Sequence, residues 1–86
     1  MPKEFFQDRN FSGPTEIIID QAEAILTEYR RQGFVLTLRQ LYYQFVARGL
    51  LKNLQKEYKR LGSIINDARL AGRIDWEMIE DRRMSV

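Results

Sequence analysis

The stretch Thr37-Leu38-Arg39-Gln40-Leu41-Tyr42-Tyr43-Gln44-Phe45-Val46-Ala47-Arg48-Gly49, followed by Leu50-Leu51-Lys52-Asn53 and a long basic segment ending at Gly72, decides the fold. A threonine hydroxyl can accept one of the amide hydrogens that the first turn of a helix leaves unpaired. Thr37 therefore predicts a helix over Leu38 to Arg48, closed by Gly49. Its apolar positions, Leu38, Leu41, Tyr42, Phe45 and Val46, follow the i, i+3, i+4, i+7, i+8 pattern of a buried stripe. Asn53 can cap the next helix, from about Leu54 to Leu70. Tyr58, Leu61, Ile64, Ile65 and Ala68 make its buried face, and Lys56, Lys59, Arg60 and Ser63 fall together on the opposite one. Asp67 shares that outer face and weakens the basic patch. Two helices joined by a short turn, the second basic on its outside, read as a helix–turn–helix.

Working upstream, Gly13-Pro14-Thr15-Glu16 opens an earlier helix, since proline is tolerated where its missing N–H would be unpaired anyway. That helix runs to Arg31 or Gln32 and stops at Gly33, with Ile18, Ala22, Ile25, Leu26 and Tyr29 as its apolar stripe. Phe34-Val35-Leu36 has β propensity but room only for a brief strand before Thr37. Downstream, Arg73-Ile74 reads as a short strand. Asp75 caps a single turn over Trp76-Glu77-Met78-Ile79, and Arg82 to Val86 is a final strand or a frayed end. Residues 1–13 are expected to form an irregular arm whose Phe5, Phe6 and Phe11 either fold back on the core or stay free; residues 14–86 form the domain.

Composition narrows the function classes. The chain of 86 residues has no cysteine and no histidine, which removes thiolate metal sites, disulfides and the commonest general base. No apolar run approaches the roughly 18–20 residues of a membrane span, and the start lacks a signal peptide's apolar stretch, so a cytoplasmic protein is expected. The net charge of +2 is unevenly spread. Residues 34–73 carry eight basic side chains (Arg39, Arg48, Lys52, Lys56, Lys59, Arg60, Arg69 and Arg73) against two acidic ones, Glu57 and Asp67. The flanking segments are acidic on balance. A concentrated positive field is the footprint of a polyanion partner; solvated helix faces are the plain alternative.

The blocks Thr37-Leu38-Arg39-Gln40-Leu41-Tyr42-Tyr43-Gln44-Phe45, Gln55-Lys56-Glu57-Tyr58-Lys59-Arg60-Leu61, Ala68-Arg69-Leu70-Ala71-Gly72 and Asp75-Trp76 occur in an order that resembles the winged-helix region of proteins related to the topoisomerase VI A subunit. The likeness is greatest to bacterial and phage proteins in which such a region precedes a larger nuclease-like domain, and it covers about residues 15–83. It implies a mainly α winged-helix domain of three helices and short strands. The wing is reduced or absent, since no two-stranded alternation comes after Gly72. In that family the second of two tyrosines attacks a DNA phosphate, which the resemblance maps to Tyr43. Helical spacing separates Tyr42, on the core stripe, from Tyr43, which lies on the face of Arg39, where a guanidinium one turn away can hold a phosphate.

In the family the magnesium-binding carboxylates come from a separate domain. Asp75, Glu77, Glu80 and Asp81 read here as caps and surface charge, and an unassisted tyrosine, with a pKa of about 10, is a poor nucleophile at neutral pH. No enzyme activity, cofactor or metal is expected of this chain alone, and Tyr43 is only a weak catalytic candidate. The expected partner is double-stranded DNA, bound with limited sequence specificity. Arg39, Tyr43, Lys52, Lys56 and Lys59 are candidates for phosphate, and Arg60, Ser63 and Asn66 for base edges. Trp76 is expected to plug the core, stacking on a base being its alternative role. Two other readings stay open. One is a protein-interaction module that inhibits or recruits a host nucleic-acid enzyme, suggested by Asp67 and Leu70 on the outer face. The other is the tyrosine-bearing half of a two-part DNA-cleaving system.

Overall fold

Ser12 caps the first helix, its hydroxyl accepting the Thr15 N–H at 3.4 Å, with Pro14 in the first turn where no hydrogen bond is lost. The structure, a computed structural model, describes residues 12–80. The expectations for Phe5, Phe6, Phe11 and the segment from Arg82 to Val86 lie outside those residues. Helix α1 spans Gly13–Arg31, strand β1 Leu36–Thr37, helix α2 Leu38–Ala47 and helix α3 Gln55–Leu70; a 3₁₀ turn at Trp76–Met78 leads into strand β2, Ile79–Glu80. The protein is a mainly α, three-helix domain with a helix–turn–helix, as the apolar periodicity predicts.

The start of α2 is a complete capping box. The Thr37 hydroxyl accepts the Gln40 N–H at 3.1 Å, and the Gln40 side chain accepts the Thr37 N–H at 2.9 Å. The helix ends at Ala47, one residue before expectation, and Gly49 turns the chain at φ 74°. The start of α3 corrects the sequence reading. Asn53 is not its cap; Leu54 holds that position and no side chain caps it. Tyr42 instead braces the turn that leads into it. Its buried hydroxyl donates to the Lys52 carbonyl at 2.7 Å and accepts the Leu54 N–H at 3.0 Å. One phenol thus satisfies two main-chain groups of the turn and fixes how α3 leaves it.

Arg73-Ile74 is likewise not a strand. After Gly72 the chain folds back, with the Arg73 N–H bonding the Ala68 carbonyl at 2.8 Å, and buries the Ile74 side chain. The strand comes later, at β2, which pairs parallel to β1 with Leu36 opposite Ile79 and Thr37 opposite Glu80. The sheet joins the entrance of α2 to the segment beyond α3, and among the described residues there is no antiparallel wing. All three helices contribute to one core, centred on Ile19, Ile25, Leu26, Leu41, Phe45 and Leu61. Ile19, fully buried, belongs to the α1 stripe although the sequence spacing passes it over. Helices α2 and α3 approach closely at Gly62, where a side-chain carbon would stand 3.2 Å from Leu38 Cδ2. No described helix is long and apolar enough to cross a membrane.

Candidate nucleic-acid interface

The eight basic residues of the middle segment divide into two groups by the company they keep. Arg73, at the end of α3, reaches back to α1, 2.8 Å from Glu16 and 3.4 Å from Asp20. Arg48, at the end of α2, meets Glu28 of α1 at 3.4 Å. The Arg73 hydrogen bond, opposed by desolvation, holds the Glu16 carboxyl below its ordinary pKa. Arg69 is buried; it donates to the carbonyls of Trp76 at 3.0 Å and Ile79 at 3.1 Å, bracing the turn that carries β2. These three arginines serve the fold, so the positive field is narrower than the sequence count suggests.

The other five lie on α2, α3 and the turn between them. Arg60 is shared with Glu57 at 3.1 Å. Arg39, Lys52, Lys56 and Lys59 are exposed and form no ion pair with any described residue. Lys56, Lys59, Arg60, Ser63 and Asn66 all stand exposed on the outer side of α3, while Tyr58, Leu61, Ile64, Ile65 and Ala68 turn inward, as the helical spacing requires. Asp67 is half-buried.

At the mouth of the turn these elements enclose a cleft of about 460 Å³ lined by Arg39, Tyr42, Tyr43, Asn53, Leu54, Gln55 and Tyr58. The two adjacent tyrosines part as expected. Tyr42 is 4% exposed and meets the Tyr58 ring edge-on, with centroids 5.3 Å apart, whereas Tyr43 is 53% exposed. The Arg39 guanidinium lies over the Tyr58 ring, 5.1 Å from its centroid. The Tyr43 hydroxyl beside it, and the two tyrosines' fields after that, raise the Arg39 pKa, and the guanidinium is cationic at neutral pH in any case. A fixed guanidinium beside a phenol suits a phosphate oxygen, to which both can donate.

Asn53, Gln55 and Tyr58 line the site although the sequence reading does not assign them to it: Asn53 reads there as a cap, and Tyr58 as a core residue, which it is, packing on the core while bordering the cleft. Their sequence signal was the i, i+4 pair Arg39 and Tyr43 facing the turn, but the cleft appears only once Tyr42 pins that turn. Trp76 corrects a second expectation. It does not plug the core: its ring is 50% exposed and lies against the Arg69 guanidinium, 4.5 Å away. Among the described residues no three carboxylates gather into a metal-binding group. Neither a protein-family model, nor a curated protein, nor a solved structure matches this chain.

Proposed function

We propose that this domain binds double-stranded DNA, with α3 entering the major groove and the start of α2 gripping the backbone. The observation that carries the reading is the segregation of charge: Arg39, Lys52, Lys56 and Lys59, the basic residues of the middle segment that no described acid neutralises, sit on or beside the two helices of the helix–turn–helix. Their phosphate contacts supply affinity without sequence information. Arg39 and Tyr43 hold one phosphate at the cleft, while Lys56, Lys59 and Arg60 track the backbone along α3. The resemblance to the winged-helix region of topoisomerase VI A relatives supports the same reading, with Tyr43 as a phosphate contact rather than a nucleophile.

Affinity for a duplex, measured against salt concentration, tests it. Neutralising four phosphates gives a slope of log affinity on log salt of about −4, and replacing Lys56, Lys59 and Arg60 together with glutamine flattens it by about three units while the helical circular dichroism is kept. Affinity unchanged by the triple substitution would sink the proposal. One observation favours a second reading, a protein-binding module: Leu70, on the outer face of α3, is 52% exposed. An apolar interface of that kind binds its partner with little salt dependence, so the same titration separates the two.

A further inference from the structure

Duplex binding of the kind just proposed leaves open where sequence is read, and the inference here rests on that binding. Ser63 and Asn66 stand well along α3, whereas a helix of this motif reaches base edges with its N-terminal residues. At that N-terminus the structure holds two side-chain amides. Gln55 is the first residue of α3 and Asn53 precedes it in the turn; both are exposed, both line the cleft, and neither amide has a hydrogen-bond partner among the described residues. Asn53 does not cap α3: Leu54 holds the cap position, and no side chain bonds the first-turn amides from there. Arg39 and Tyr43 line the same cleft.

We infer that Asn53 and Gln55 are the sequence-reading residues of this domain and that the base they select is adenine, contacted in the major groove while Arg39 and Tyr43 fix an adjacent phosphate. A carboxamide presents one acceptor and two donor hydrogens side by side. In the major groove adenine alone offers a matching donor and acceptor on one base, N6–H and N7; guanine offers two acceptors and cytosine one donor. Gln55, carried by the helix, makes the bidentate pair, and Asn53 contacts the neighbouring base from the turn. The phosphate held at the cleft sets the register, so the amides meet the same base step in each binding event.

Selection of binding sites from a randomised duplex library tests this, using the unaltered chain, the Asn53→Ala/Gln55→Ala double variant and Gln55→Glu, each checked for its helical melt. The unaltered chain should enrich a site with a fixed adenine, preferred by about 5- to 150-fold over other bases. The double variant should lose that preference and keep its salt-dependent binding to random duplex. A glutamate accepts but does not donate, so Gln55→Glu should shift the preferred base from adenine to cytosine. This single exposed substitution carries the test even if the double variant fails to fold. Enrichment of no adenine, or an adenine preference that survives these substitutions, overturns the inference and leaves duplex binding standing. Failure of the unaltered chain to bind any duplex overturns the DNA reading beneath it.

Discussion

Arginines of the same sequence segment do opposite jobs on the two sides of this molecule. On the side facing α1, Arg48 and Arg73 are consumed by Glu28, Glu16 and Asp20, and Arg69 is sunk beneath β2. On the side formed by α2, α3 and their turn, Arg39 lies against an aromatic ring and meets no acid among the described residues, and the lysines face water. A local count of charges therefore overstates the field wherever a distant helix supplies the counter-charge. Sequence position along the chain does not tell which arginines are spoken for; the packing of α1 against the ends of α2 and α3 does.

The largest effect expected concerns the neighbouring tyrosines, which divide the same way. Tyr42→Ala should lower stability by about 3 kcal/mol or more, through a cavity and the loss of the phenol's hydrogen bonds to the turn, whereas Tyr43→Phe should leave the denaturant midpoint in place. Equal losses in a urea melt would erase the distinction. Next comes binding. Arg48→Gln and Arg73→Gln should each leave the salt slope of duplex affinity unchanged, in contrast to the loss of about three units on replacing the α3 cations. A slope that falls for Arg73→Gln would mean that its ion pairs open to meet DNA.

A smaller change is expected for Tyr43→Phe, which should weaken duplex binding by about 1 kcal/mol, the worth of one hydrogen bond to phosphate. Denaturing gels of the isolated chain with DNA should show no covalent adduct. A Tyr43-linked product would instead favour the cleavage reading, with the metal-binding carboxylates brought from elsewhere. Least of all is the contribution of Glu16. Its folded pKa lies below the ordinary value of 4.5, so its ion pair contributes fully above that pH, and the contribution is lost as the pH falls through the lower folded value. The difference in melting temperature between the unaltered chain and Glu16→Gln should be constant well above pH 4.5 and close below it. A gap that persists in acid would show that packing, not charge, is what Glu16 supplies.

Most of the helical frame was legible in the sequence because its signals are local. The Thr37 cap, the glycines after each helix and the apolar spacing of α2 and α3 act over one or two turns, and α1, α2 and α3 lie within a residue or so of where those signals put them. Much of what escaped needed long-range partners. Asn53 looks like a cap, but the helix begins a residue later with Leu54 in that position, and Trp76 looks like a core residue until Arg69 takes the space beneath it. The strand at Ile79–Glu80 has no alternating pattern to announce it, since only the partner at Leu36–Thr37 makes it a strand. The phosphate-binding candidates Arg39 and Tyr43 came from spacing on one helix, while the cleft they border with Asn53 and Gln55 depends on a turn geometry that spacing does not encode.

The parallel pairing of β1 with β2 has a kinetic consequence. It joins Leu36 to Ile79 and so encloses the whole helix–turn–helix within one loop. Closing so long a loop costs more chain entropy than any contact inside it, and contacts of high sequence separation form slowly. Helices α2 and α3, joined by a short turn, should therefore pair before the strands lock. In native-state hydrogen exchange the amides of Ile79 and Glu80 should open before those of central α3. Thr37 belongs at once to β1 and to the cap of α2, so each such opening also loosens the first turn of the helix that carries Arg39.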